Sequence, residues 1–143
     1  MIIIDQSILR RPCEPVLPDE ISDLRQKLEE VLNWTEKQGN PGIGLACPQI
    51  GISKAMSIIR LNNTKIDLVN PVIVRKYNEF IFEGEGCLSF PGRIERTKRF
   101  KEIIVKNDLE PKHFIVTDLL AVVIQHEIDH LNSILLPDVA ITE

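Results

Sequence analysis

The segment TDLLAVVIQHEIDHLN, residues 117 to 132, constrains the fold more than any other. It is apolar on nearly every side through Ile124, so the spacing predicts a central, buried helix rather than a surface one. Thr117 reads as its N-cap, and Asp118 suits a first turn where a carboxylate meets unpaired N–H groups. The remaining elements must then wrap around this helix. Its second half turns polar: His126 and His130 stand one helical turn apart, with Glu127 beside the first. Side chains four apart share a face, so two imidazoles can address one ion while the glutamate reaches a water. This is the HExxH arrangement of zinc hydrolases. By itself the same spacing also suits polar residues that cap or decorate a helix.

With 143 residues the chain has room for one substantial core, and a single domain over 1–143 is expected. Pro12, Pro15 and Pro18 mark an irregular strap, and from Asp19 to Gln38 the residues Ile21, Leu24, Leu28, Val31 and Leu32 recur at helical spacing. Gly39 and Pro41 end that pattern. Short strands are expected around 55–60 and 66–74, with Pro71 dividing the second, and strands over 94–106 and 113–116, with NDLEP turning between them. The fold class is α+β: short, mostly antiparallel strands packed around a central helix bearing HExxH.

A formal charge of −4 excludes a broad electrostatic footprint for nucleic acid, and the one dense basic stretch, RIERTKRFKE, is interrupted by glutamates. Cys13, Cys47 and Cys87 cannot all pair within one chain and form no dense disulfide framework. The opening MIII is too short for a signal sequence, and no apolar run reaches membrane-spanning length. A reducing cytoplasm is the expected location.

A hydrolytic metal takes three protein ligands and leaves one position open. The 13 residues after His130 contain no histidine. Cys87 in EGCLS offers a thiolate instead, although a free cysteine also serves as a small buried hydrophobe. Gln49, after a glycine-rich strand end, carries an amide able to hold a developing oxyanion; a glutamine there can equally brace a turn.

Taken together, GIGLACPQ at 42–49, EGCLS at 85–89 and QHEIDH at 125–130 closely resemble the three signatures of the peptide deformylase family, in the same order. The resemblance implies that Cys87, His126 and His130 bind one divalent metal, natively Fe2+, with Zn2+, Ni2+ or Co2+ as substitutes. It implies Glu127 as general base, with Gln49 and the backbone N–H of Leu88 holding the formyl oxygen. Gly44 would bond to an extended peptide, while Ile43, Glu85, Leu119, Val122 and Val123, with His126, would surround the methionine side chain. The substrates implied are formylated nascent peptides. Transient ribosome contact is compatible with the family, whereas direct nucleic-acid recognition and membrane association are not expected, and a monomer is the expected state. Arg93 is a candidate partner for Glu85 or for a substrate group, and a surface role suits it equally.

Three features depart from the family pattern. Cys47 stands where a second alanine is common, and Ser133 replaces a common glycine; if that position needs positive φ, serine costs roughly 1 kcal/mol. The resemblance is also to a compact form without the usual long C-terminal helix, Pro137 discouraging a continuous helix near the end. The competing enzyme reading is a metalloprotease, against which Cys87 and the missing downstream histidine argue. The non-enzyme reading is a related domain that acts by binding alone.

Overall fold

Leu24, Leu28 and Leu32 do recur on one helical face, and in the computed structural model, which describes residues 1–141, all three are buried along α2 (Ile21–Lys37). Each such leucine contributes about 2 kcal/mol of transfer free energy. A short helix, α1 (Gln6–Leu9), precedes it, capped by the Asp5 side chain, which accepts from the Ser7 N–H at 2.9 Å. Trp34 stands 47% exposed on the outer face of α2.

The leucine face of α2 packs on an antiparallel sheet of β1 (Gly44–Ala46), β2 (Met56–Leu61) and β3 (Thr64–Val69), in that order. Strand β2 is buried on both sides. Because side chains alternate across a strand, Met56 and Ile58 enter the core shared with α2, whereas Ile59 joins the core on the other face. That second core contains Ala121, Ile124 and Ile128 of α3 (Asp118–Leu131) together with Ile103, Val105 and Val116. The latter three lie on a second antiparallel sheet, ordered β4 (Val72–Gly86), β5 (Ile94–Lys106), β6 (Phe114–Thr117). Helix α3 is therefore held between two sheets.

The α+β character and antiparallel pairing are present, but the expected arrangement needs correction. Strands β4 and β5 are not short: they run for 15 and 13 residues as one long hairpin. The region after Arg75 escaped the sequence reading because register shifts between Ile73 and Arg75, and between Phe82 and Glu85, break the two-residue alternation that marks a strand. Nor is the metal site a helix motif. The donors that converge are Cys87, His126 and His130, and one of the three comes from the end of the hairpin.

The N-terminal end of α3 differs in detail from expectation, whereas its C-terminal end agrees: no continuous helix follows. Thr117 is extended but its side chain makes no capping hydrogen bond, and Asp118 sits at a φ of 56°. Beyond the helix, α4 (Leu136–Val139) is a single turn with Pro137 in it, where a missing N–H leaves no hydrogen bond unmade. The Leu135 N–H donates to the Asp138 carboxylate at 2.9 Å, which closes that turn.

Candidate metal centre

Strand β4 ends at Gly86, so Cys87 emerges directly beside α3. The Cys87 Sγ lies 3.3 Å from the His130 Nε2, and the ligand atoms of Cys87, His126 and His130 all fall within 4.8 Å of one another. Tetrahedral coordination with metal to ligand bonds of about 2.0–2.3 Å separates donor atoms by roughly 3.3–3.8 Å. The cluster is thus near the spacing that one divalent ion requires. Burial pushes His130 well below its ordinary pKa, with His126 adding to the effect, and the neutral imidazole is the ligating form. Burial acts the same way on His126, but contacts with Cys87 and Glu85 outweigh it and raise His126 well above its usual value.

His126 is aimed by its other nitrogen. Its Nδ1 lies 2.8 Å from Glu85 Oε2, which turns Nε2 toward the cluster. Glu85 is itself buried: Thr97 Oγ1 donates to it at 2.7 Å, Arg99 Nε donates at 2.9 Å, and a second Arg99 nitrogen pairs with Oε2. Arg99 also bridges to Asp129 at 2.6 Å. The candidate partner Arg93 pairs with Glu95 instead. Burial pushes the Glu85 carboxyl up, but His126 and Arg99 outweigh it and hold it at about 2.

Glu127 turns the other way, into the space between α3 and β1. It is 4% exposed, and burial lifts its carboxyl above the ordinary range while His126 and the Ser57 hydrogen bond pull against the rise. A carboxylate so shifted takes a proton more readily at neutral pH. Its Oε2 lies against Gly44 so closely that a Cβ there would come within 2.6 Å. Gln49 occupies a 3-10 turn, Cys47–Ile50, and is 1% exposed. The Ala46 N–H donates to its Oε1 at 3.0 Å, which leaves the amide nitrogen facing Ser89 Oγ at 3.1 Å and Cys87 Sγ at 3.6 Å.

These groups face a cleft of about 590 Å³ that is also lined by Ile43, Gly44, Glu85, Leu88, Leu119, Val122 and Val123. Ile43 and Leu119 are rim residues, 40% and 46% exposed, while Val122 is buried at the base. The candidate ligand, catalytic and substrate-contact residues named from the sequence thus meet at one place, except that His130 lies behind the wall rather than in it. Sequence reasoning missed Ser57, Ser89, Arg99 and Asp129. Only Ser57 left a signal: it is the one polar residue in the inward run MSII. The others are ordinary polar residues whose partners lie far away along the chain. Cys47 is fully buried, and burial raises its thiol to about 12, consistent with a structural thiol.

A Cys/His/His donor set beside a buried carboxylate, opening on an apolar cleft, defines a metal-dependent hydrolase. The family model for polypeptide deformylase matches residues 1–143. A peptide deformylase from Heliobacterium modesticaldum is 47% identical over 100 residues, covering 68% of this chain and 66% of that protein. One from Hydrogenovibrio crunogenus is 39% identical over 136 residues, covering 91% of this chain and 78% of its own length. Among solved structures, the Thermotoga maritima enzyme superimposes with a TM-score of 0.84 at 30% identity, covering 99% of this chain and 97% of that one. The Synechococcus elongatus enzyme, solved in complex with actinonin, gives 0.85 at 32% identity over 100% and 79%. The chain belongs to the polypeptide deformylase family, whose reaction is metal-dependent deformylation of N-formylmethionine.

Proposed function

We propose that residues 1–143 act as one catalytic domain that removes the formyl group from formylated nascent peptides, giving formate and a free methionine amine. The observation that carries this reading is the buried Glu127 carboxylate set beside the Cys87, His126 and His130 cluster, with Glu127, Cys87 and His126 lining an open cleft. In it, Cys87, His126 and His130 are the metal ligands. The divalent ion, Fe2+ natively with Zn2+, Ni2+ or Co2+ as substitutes, supplies Lewis acidity that activates water and polarises the formyl carbonyl.

The chain's own groups supply the rest. Glu127 accepts the proton of the attacking water and returns it to the departing amine. The Gln49 amide nitrogen, already turned toward Cys87, and the Leu88 N–H donate to the formyl oxygen as negative charge grows there. Gly44 offers backbone hydrogen bonds to an extended peptide, and the absence of a side chain keeps Glu127 accessible. Ile43, Leu119, Val122 and Val123 give the unbranched methionine side chain an apolar lining, with Glu85 fixed at the same wall. We place the protein in the cytoplasm as a monomer that meets the ribosome transiently. No helix among the described residues is long and apolar enough to cross a membrane.

The test is formate release from formyl-Met-Ala-Ser by protein loaded anaerobically with iron, beside Glu127→Ala. Rapid release that the variant abolishes supports the assignment. Folded, metal-loaded protein with no release refutes it.

A further inference from the structure

We propose that Ser57 is a positioning residue for Glu127, holding one carboxylate oxygen from behind so that the other faces the cleft. The proposal rests on the reading of Glu127 as the base. Ser57 stands on β2 between Met56 and Ile58, fully buried, and directly opposite Leu68 on β3. Its neighbour on the same strand face, Ile59, packs with Leu68 against Ala121, Ile124 and Ile128. An aliphatic side chain would suit that surface, whereas a hydroxyl placed there costs free energy unless it is hydrogen-bonded. Packing therefore gives no reason for a serine at this point.

The hydroxyl has two acceptors in reach: the Leu45 carbonyl at 3.0 Å and Glu127 Oε1 at 3.1 Å. It has one proton to give. A carboxylate is the stronger acceptor because the bond is charge-assisted, so the proton is directed to Glu127. The terminal torsion of a glutamate is intrinsically broad and nearly two-fold, and nothing in the side chain itself sets the plane of its oxygens. Ser57 sets it. With Oε1 tethered to β2, Oε2 is the oxygen beside Gly44, on the side of the cleft where water and the substrate amide must arrive. The strand that carries Gly44 is also tied to the same hydroxyl's surroundings, since Leu45 and Ser57 lie on paired strands.

This assigns the proton-handling role to Oε2 and separates orientation from binding. Loss of the hydroxyl frees the carboxylate to rotate without altering the apolar lining, the ligands or the peptide-binding backbone. The effect should fall on turnover and spare substrate affinity.

The experiment compares wild type, Ser57→Ala, Ser57→Thr and Glu127→Ala in the same formyl-Met-Ala-Ser assay, with bound metal per chain and the thermal midpoint measured for each. For Ser57→Ala we expect kcat to fall roughly ten-fold, the loss of one hydrogen bond to a charged group, with KM changed by less than about two-fold and metal content unaltered. Ser57→Thr keeps the hydroxyl on a strand that accepts branched residues and should recover most of the loss. Wild-type kcat in Ser57→Ala, with Glu127→Ala inactive, overturns the proposal while leaving the base assignment standing. So does a loss in Ser57→Ala that tracks lost metal, or one shared by a stably folded Ser57→Thr; if the threonine does not fold, the split between kcat and KM in the alanine variant decides. Formate release at the wild-type rate by Glu127→Ala overturns the base assignment itself.

Discussion

Replacing Ser133 by glycine should stabilise this protein while leaving its site untouched. Ser133 follows α3 at a φ of 63°, in the left-handed region. The helix ends through that conformation: the Ser133 N–H donates to the His130 carbonyl at 3.2 Å, and the Ile134 N–H donates to the Asp129 carbonyl at 2.9 Å. A residue with a Cβ pays roughly 1–2 kcal/mol there. Glycine removes that strain but returns roughly 0.4–1 kcal/mol through its freer unfolded chain. Among the described residues the serine hydroxyl bonds only to the Arg11 carbonyl, at 3.4 Å and exposed, so its loss costs little. The net gain is about 0.5–1 kcal/mol. Unfolding entropy near 2.1 cal/mol/K per residue gives about 0.3 kcal/mol/K for this chain length, and hence a rise of about 2–3 °C in the thermal midpoint. Thermal and urea melts of metal-loaded protein measure it, with formate release as the control. An unchanged or lowered midpoint would refute the argument that backbone strain at the helix end is the dominant cost.

Two further substitutions probe the site itself. Gly44→Ala places a methyl within 2.6 Å of Glu127 Oε2, so the carboxylate or β1 must move; kcat should fall at least about ten-fold, and an unaltered kcat would mean that the contact relaxes freely. Glu85→Gln removes the charge that aims His126 and should weaken metal affinity roughly ten-fold or more, read by competition with a chromophoric chelator. The same variant tests a pH dependence. Because the folded-state pKa of Glu85 is depressed from 4.5 to about 2, its stabilising contribution is complete above pH 4.5 and is lost as pH falls through 2. Glu85→Gln should therefore flatten the stability curve across that window, and a curve parallel to wild type would show that other carboxylates govern acid unfolding.

Local pattern and chemistry carried much of the sequence reading. The leucine spacing of α2 and the limits of β5 were legible because each element obeys its own period over several turns or residues. Strand β4 was not, since its bulges shift the phase and most of its residues are exposed. Thr117 is the N-cap, as its position predicts, but its side chain makes no capping hydrogen bond, and the chain passes from β6 into α3 through Asp118 at positive φ, which no local pattern announces.

The sequence by itself determined which chemistry is available: two imidazoles and a carboxylate spaced by one helical turn, a thiol, and an amide after a glycine-rich strand, in an order matching a known family. Those are properties of residue type and short spacing, which a helix or a turn preserves wherever it is placed. The resemblance already pointed to Cys87 as the third donor; only the tertiary structure brought its thiol within reach of His126 and His130, and decided that Arg99 pairs with Glu85 while Arg93 pairs with Glu95, and that Ser57 reaches Glu127 from a strand 70 residues away. Such pairings depend on how sheets and helix stack, because burial is what forces each polar group to find a partner, and no local rule says which distant one it will find.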